Sequence, residues 1–135
     1  MKPLQALAIL VTGVALASAT PGVGQKRSLA MLDQVDGGNW ELRVRGAEAK
    51  VEKICIDGGR RLIQLRHQNL RCEQVTIADL PTEVTVQYSC GKQGYGRTHI
   101  RRETSGLLQI DSQGITNGFP FAFAAEARRA GDCPR

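Results

Sequence analysis

The sequence predicts a mainly β protein: a curled antiparallel sheet, or a small incomplete barrel, of about seven strands with one or two short helices. Apolar residues alternate with polar residues along several short runs, and turn residues separate one run from the next. Alternation with a period of two is typical of strands that bury one face. A chain of 135 residues buries enough surface for one core. We therefore expect a single domain.

The N-terminal residues have the pattern of a secretory signal peptide. Lys2 is followed by an apolar run over 4–16 and by small residues that end at Ala19. Such a run is too short to span a bilayer and small residues favour cleavage, an uncleaved anchor being the alternative. We expect a signal peptide over 1–19 with cleavage after Ala19, a flexible lead-in over 20–27, and one disulfide-bonded β domain over 28–135. The processed protein is then periplasmic or secreted and does not span the membrane.

Four cysteines, Cys55, Cys72, Cys90 and Cys133, are expected to form two disulfides. An even number in a small exported domain is typical of a disulfide framework, free buried thiols being the alternative. Cys72 begins a strand and Cys90 ends the next one, so both lie at the same end of the sheet. The preferred pairing among three is therefore Cys72–Cys90 with Cys55–Cys133. No C-x-x-C spacing occurs, and we expect neither a bound metal nor a cofactor.

Inward packing of Val75 and Ile77 conflicts with this pairing. A register that buries both residues turns Cys72 away from the face on which Cys90 lies. A β-bulge near Cys72 would reconcile the two expectations.

The first half of the domain is predicted to contain a short helix and three strands. Ser28 can cap a helix over 29–35, which ends before two glycines. The other expectations are a strand through Trp40, Leu42 and Val44, a turn at 46–48, a returning strand over 49–56, one or two helical turns within 60–70, and a strand over 71–78.

The second half, 84–128, is predicted to be a four-strand antiparallel meander. Glycine-containing turns at 92–94 and 104–106 are expected to set its register. Three phenylalanines alternate along the last strand and are expected in the core. The cross-strand neighbours that follow are Val86 with Ile100, Tyr88 with Thr98, Gln87 with His99, Thr85 with Arg101, Ile100 with Ile110, Arg102 with Leu108, and His99 with Asp111.

The outer face of the meander carries a polar strip. A histidine beside an aspartate can act as a general base, but no nucleophile is expected near them, so no catalytic residue is assigned. An ordinary ladder of cross-strand polar pairs is the alternative. The strip is the candidate binding face and consists of Gln87, Tyr95, Arg97, His99, Arg101 and Asp111.

The arginines of this half form a basic patch in a chain of net charge +5. Such a patch can bind phosphates or carboxylates of envelope polymers, whereas a solvated face balanced by acids is the alternative. Nucleic acid is not an expected partner, because the protein is exported and Tyr95 is the one aromatic expected to be free for base stacking. The glycines of 91–96 serve a hairpin rather than a phosphate loop, and His67 is expected to be solvated.

Motifs along the expected mature chain resemble a known family. The chain is similar to the small exported bacterial proteins grouped as domain of unknown function 3617. The resemblance implies a periplasmic or envelope protein with no established activity, and it brings no catalytic residues. The motifs are Leu32-Asp33-Gln34, Gly38-x-Trp40-Glu41, the four cysteines in order, Val86-x-Tyr88-x-Cys90, Gly94-Tyr95-Gly96-Arg97-Thr98, Glu103-Thr104, Gln109-Ile110-Asp111-Ser112-Gln113-Gly114-Ile115, Asn117-Gly118-x-Pro120-Phe121 and Glu126-Ala127-Arg128-Arg129-x-Gly131-x-Cys133.

A thinner resemblance is to the periplasmic inhibitors of C-type lysozyme. Those are small disulfide-bonded β-barrels with a strand like Tyr88-Ser89-Cys90, but their Ser-Gly loop before a tyrosine has no counterpart here. We expect a non-catalytic binding or interaction module of the envelope, with an anionic envelope component or an envelope protein as its partner. The alternatives are an inhibitor of a cell-wall hydrolase such as lysozyme and a weak enzyme that uses His99 and Asp111.

Overall fold

The computed structural model describes residues 28–46 and 49–135. The expected signal peptide, its cleavage after Ala19, the lead-in and the turn residues 47–48 lie outside the described residues. No helix of the described chain is long and apolar enough to cross a membrane. The elements in chain order are α1 (Ala30–Asp33), β1 (Gly38–Arg45), β2 (Lys50–Ile56), a 3-10 turn (Gly59–Leu62), β3 (Glu73–Asp79), β4 (Glu83–Ser89), a second 3-10 turn (Gly91–Gln93), β5 (Gly94–Thr104), β6 (Leu107–Thr116) and β7 (Phe119–Gly131).

All seven strands form one antiparallel sheet in the order β2-β1-β7-β6-β5-β4-β3. Strands β3 to β7 follow one another as a meander, whereas β1 pairs with the last strand, β7, and carries β2 on its other side. Within the described residues β2 and β3 do not pair with each other, so the sheet is open. The predicted mainly β fold of about seven antiparallel strands is confirmed.

The inner face of the sheet is covered by α1 and by the segment 59–70. Burial alternates along β1, so Trp40 and Leu42 point inward as the sequence predicts. The central cross-strand row of Val84, Ile100 and Ile110 is fully buried beneath these two segments. The residues that close the core from the other side are Met31 and Leu32 of α1, with Leu62, Ile63 and Leu65.

Helix α1 is shorter than the predicted helix over 29–35, and Ser28 does not cap it. Leu29 precedes the helix with a left-handed φ of 54°, and no side chain caps its N-terminus. Instead, the Leu29 N–H donates to Oδ2 of Asp79 at 3.2 Å. The Arg60 guanidinium donates to both carboxylate oxygens of Asp33, at 2.8 and 3.0 Å. The helix is therefore positioned by tertiary contacts rather than by a local cap.

The two disulfides join Cys55 to Cys133 and Cys72 to Cys90, the pairing preferred from the strand order. Cys72–Cys90 links the start of β3 to the end of β4. Cys55–Cys133 links β2 to the segment after β7, across β1. Two disulfides in so small a domain are typical of proteins from an oxidising compartment.

The expected inward packing of Val75 and Ile77 is wrong. Val75 is 61% exposed and Ile77 is 39% exposed. Val75 lies opposite Gln87, which is on the outer face, and this register leaves Cys72 beside Cys90. The β-bulge expected near Cys72 occurs instead at Ile77, where the register of β3 with β4 shifts.

Strands β4 and β5 pair two residues out of the predicted register. Gln87 lies opposite Arg97 rather than His99, and the other predicted β4–β5 pairs shift with it. The Cys90 N–H donates to the carbonyl of Gly94 at 2.8 Å, around the 3-10 turn. Gly94 belongs to β5, where a Cβ would collide with the backbone of β6, so it is not the turn residue that was predicted. Because the shift is even, every side chain keeps its predicted face.

The predicted register between β5 and β6 is confirmed. Ile100 lies opposite Ile110, and His99 lies opposite Asp111. The register shifts only between Arg102 and Thr104, next to the turn, so the pairs inside the strands are unaffected.

The phenylalanines of β7 are less buried than predicted. Phe121 and Phe123 are half-buried and Phe119 is 74% exposed, so the prediction that all three belong to the core is wrong. Strand β1 ends at Arg45, which lies opposite Ala124. Within the described residues, the part of β7 before Ala124 therefore has no neighbouring strand on that side. The sheet has an open edge there.

Thr98 and Ser112 are polar residues buried in the inner face, and both are hydrogen-bonded. The Thr98 hydroxyl donates to the carbonyl of Ile63 at 2.6 Å, and the two hydroxyl oxygens lie 2.8 Å apart. Because a hydroxyl has one proton to donate, Ser112 donates to Thr98. The pair ties the segment 59–70 to the sheet.

Candidate binding site

The six residues of the predicted binding face lie together on the outer side of the sheet, and we call them the outer strip. Residues of a strand alternate between faces, which places every second residue of β5 on this side. Gln87 neighbours one of these β5 residues from β4, and Asp111 neighbours another from β6. The strip consists of Gln87, Tyr95, Arg97, His99, Arg101 and Asp111.

Side chains around the outer strip form ordinary polar contacts within and between strands rather than a reacting group. His99 neighbours Asp111 in the sheet, but its Nε2 lies 3.5 Å from a carboxylate oxygen of Glu83. Arg101 forms an ion pair with Glu103 at 3.1 Å. A general base needs a proton-bearing group within hydrogen-bond reach. No such nucleophile contacts His99 among the described residues.

The open edge of β7 presents backbone groups in a fixed alternation. The Arg129 N–H donates to the carbonyl of Gly106, toward β6, at 2.9 Å. In an antiparallel ladder successive residues hydrogen-bond to alternate sides. The register of β6 with β7 is continuous, so odd-numbered residues of β7 bond to β6. The open side therefore faces the N–H and C=O of Ala122 and the C=O of Pro120. Proline has no N–H, so position 120 leaves no donor unpaired there.

Aromatic and charged side chains line the inner side of this edge. The rings of Phe121 and Phe123 are stacked, with their centroids 6.4 Å apart. The guanidinium carbon of Arg66 lies 4.3 Å from the centroid of the Phe123 ring. The carboxylate of Glu52 forms ion pairs with Lys50 and Arg66, with N···O distances of 2.9 and 3.3 Å. Burial would raise the pKa of Glu52, but the hydrogen bonds from Lys50 and Arg66 outweigh it and lower that pKa. The ionised carboxylate thus fixes two cations beside the phenylalanines.

His67 is buried next to these aromatic rings, and the expectation that it is solvated is wrong. It is 2% exposed, and its ring lies 5.4 Å from the ring of Tyr88 and 6.0 Å from that of Phe121. Its Nε2 lies 3.1 Å from the carbonyl of Gln93, which can only accept, so Nε2 carries the proton. Nδ1 then accepts a hydrogen bond from the Tyr88 hydroxyl at 3.0 Å.

Gly96 makes room for the ring of Tyr88. Gly96 and Gly114 are cross-strand neighbours between Tyr88 and Phe121 in the sheet, and a Cβ at Gly114 would collide with the backbone of β5. A Cβ at position 96 would lie 2.5 Å from the hydroxyl oxygen of Tyr88. The tyrosine ring therefore lies across the sheet, over a position that only glycine can occupy without displacing it.

A cleft of about 870 Å³ lies along the open edge, and we call it the edge cleft. Three members of the outer strip line it: Arg97, His99 and Asp111. Gln87 and Tyr95 line a neighbouring depression that shares Arg97, and Arg101 lies outside both. The other charged and aromatic lining residues are Arg45, Lys50, Arg66, Phe121 and Phe123.

The inner side of the cleft is the part that the sequence did not predict. Lys50 and Glu52 lie opposite Val44 and Leu42, so the alternation of β2 could have placed them on the inner face. Nothing local marks Arg66, because the helical turns expected within 60–70 do not indicate which way its side chain points.

No group of three or more His, Cys, Asp or Glu side chains within 28–46 and 49–135 could hold a metal ion. Comparisons with protein-family models, with curated proteins and with solved structures find no match to the chain. The geometry and charge of the edge cleft are therefore the basis for a functional assignment.

Proposed function

We propose that the protein is a non-catalytic binding module of the bacterial envelope and that its edge cleft takes an anionic partner. The observation that carries this proposal is the meeting of cations and phenylalanines at an unpaired strand edge. Arginine and aromatic side chains are enriched at protein binding surfaces. The four cations are Arg45, Lys50, Arg66 and Arg97.

Arg97 is the cation most available to a ligand. It is exposed and forms no ion pair with any residue of the described chain. Arg45 donates to the neutral side chain of Gln109 at 3.2 Å. The other two cations share the carboxylate of Glu52, and Asp111 is the acid that lines the cleft. Cations thus outnumber acids, and such a cleft attracts carboxylates or phosphates.

The location in the envelope is supported by three features. Two disulfides are typical of an oxidising compartment. The residues over 1–19 have the pattern of a secretory signal. The chain also resembles the exported family grouped as domain of unknown function 3617, which supports the periplasm or the exterior as its place.

The two alternative functions, inhibition of a hydrolase and weak enzymatic activity, predict different results. Inhibition of a cell-wall hydrolase requires a stable complex, which gel filtration with a C-type lysozyme would detect. Absence of a complex across a panel of hydrolases would remove this alternative. Enzymatic activity requires a turnover that His99→Ala abolishes.

The proposal is tested by the binding of labelled polyglutamate and polyphosphate, followed by fluorescence anisotropy at low salt. Arg97→Gln is compared with Arg101→Gln, which removes the same charge from the same strand and face but outside the cleft. We expect Arg97→Gln to weaken binding of at least one polyanion by about fivefold or more, and Arg101→Gln by less than about twofold. Added salt should weaken binding as well.

Equal weakening by both substitutions would mean that binding follows the net charge rather than the cleft. That result contradicts the proposal, as does the failure of both polyanions to bind at low salt.

A further inference from the structure

The open edge of β7 identifies the kind of partner that the edge cleft fits. We propose that the partner is an extended acidic polypeptide segment that pairs with β7 as an additional strand, an inference that rests on the proposed function. Strand addition to a sheet edge is a general mode of peptide recognition, in which backbone hydrogen bonds bind and alternate side chains select.

The backbone groups at the open edge of β7 can pair with a further strand. The N–H and C=O of Ala122 and the C=O of Pro120 point away from β6, toward a side without a strand in the described chain. Beyond Ala124 the same side of β7 is occupied by β1. A bound segment would therefore continue the line of β1 where β1 stops at Arg45. Its length is limited to about five residues, or roughly 17 Å of strand.

The two sides of this edge carry different side chains. On the inner side a bound strand would meet the rings of Phe121 and Phe123, beside Arg66, whose charge is paired with Glu52. On the outer side it would meet the small side chain of Ala122, and Arg45 and Arg97 line the same cleft. A segment with apolar and acidic residues in alternation satisfies both sides, because the side chains of a strand also alternate.

The open edge of β7 is only partly protected against pairing. Natural sheets shield exposed edges with prolines, charges or short strands. Here Pro120 removes one N–H, but Ala122 keeps both of its backbone groups and carries a small side chain. The edge thus favours pairing of a short segment at one place, and a polysaccharide has no matching row of amide groups.

The probe is a labelled octapeptide of alternating glutamate and valine with blocked ends. Two control peptides have the same sequence with every second amide N-methylated, one at the glutamates and the other at the valines, so that each can donate hydrogen bonds from one edge only. We expect the parent peptide to bind and N-methylation on the pairing side to weaken binding by about tenfold or more. Equal binding of the parent and both N-methylated forms would overturn the inference, as would no binding of the parent at millimolar concentration.

Two substitutions at one position test the same contact from the protein side. Ala122→Pro removes the N–H that faces the open edge, whereas Ala122→Ser keeps it. We expect Ala122→Pro to weaken peptide binding by about tenfold and Ala122→Ser by less than about twofold. Both variants should keep the circular dichroism of the original protein, because no strand of the described residues pairs with this N–H. Unchanged binding by a folded Ala122→Pro variant would overturn the inference.

Hydrogen exchange of two backbone amides gives a direct readout without mutation. The Ala124 amide faces β1 and should exchange slowly with or without peptide, whereas the Ala122 amide should exchange fast and slow down when peptide binds. If polyanions bind in an Arg97-dependent way and peptide never protects Ala122, the proposed function stands and this inference fails. A dimer that Ala122→Pro dissociates would identify a second copy of the chain as the occupant and would also overturn it.

Discussion

The hydroxyl of Tyr88 donates a hydrogen bond to Nδ1 of His67 over 3.0 Å, inside the core. Tyr88 is 1% exposed, and the carbonyl of Gln93 fixes the proton of His67 on the other ring nitrogen. The contact therefore requires that Tyr88 keep its proton. It joins the segment 59–70 to β4 directly behind the aromatic side of the edge cleft.

Tyr88 should lose its proton at a higher pH than tyrosine usually does. Burial raises its pKa to about 12, although the charge of Arg66 acts in the opposite direction. The unfolded chain releases this proton near pH 10, so the stability contributed by neutral Tyr88 is complete below about pH 10 and is lost between about pH 10 and 12. Phenolate absorbance of the Tyr95→Phe variant, in which Tyr88 is the one remaining tyrosine, measures this titration.

The same titration in denaturant is its control and should give the ordinary value. A midpoint near pH 10 in protein that keeps its folded circular dichroism would contradict the expected burial of the hydroxyl.

Gly96→Ala should destabilise the protein. The new methyl group would lie 2.5 Å from the Tyr88 hydroxyl oxygen, so the ring and His67 must move. We expect the free energy of unfolding to fall by about 1–3 kcal/mol, as for overpacking of a core. Gly58→Ala is the matched control, because a methyl group at this position would meet no atom within 4 Å beyond its chain neighbours, and the backbone there is extended. Urea denaturation measures both, and an equal cost for the two variants would argue against the close approach of Tyr88.

Thr98→Val should also destabilise the protein, although valine has nearly the same shape. The substitution leaves the carbonyl of Ile63 and the hydroxyl of Ser112 without their partner in the core. A buried polar group without a partner costs about 1–3 kcal/mol. Thr85→Val, on the outer face of the sheet, should change the free energy of unfolding by less than about 0.5 kcal/mol. If both variants unfold at the same urea concentration, the buried hydroxyl pair does not hold the segment 59–70.

Strand positions were predictable wherever alternation and a turn agreed. Trp40 and Leu42 alternate with charged residues, and β1 runs through both of them. Ile100 and Ile110 were placed opposite each other on the expectation of a three-residue turn at 104–106. The actual turn is one residue shorter, because Thr104 pairs with Leu107, and the register shift between Arg102 and Thr104 restores the predicted pairs. The predicted register of the hairpin between β4 and β5 was wrong. Gly94 was predicted to be a turn residue, but it lies in β5, where it allows close contact with β6.

The site was harder to predict because it depends on unequal strand lengths. Phe121 lies beside an open edge because β1 ends at Arg45. The sequence of β7 alone does not indicate where β1 ends. His67 has polar neighbours in the sequence, and only the fold places it between Tyr88 and Phe121. The outer strip was predictable because alternation alone puts Arg97 and His99 on one face.

The pairing of β1 with β7 sets an order of events during synthesis. The chain emerges from its N-terminus, so β1 can pair with β2 early and β3 to β6 can pair with one another as they appear, whereas the contact between β1 and β7 must wait for the last strand. Until then the hairpin of β1 and β2, which carries Trp40 and Leu42, is separate from the rest of the sheet. Cys55 likewise meets Cys133 only after β7 exists, while Cys72 and Cys90 are close along the chain. We therefore expect the Cys55–Cys133 bond, which spans 78 residues, to form after the Cys72–Cys90 bond, which spans 18.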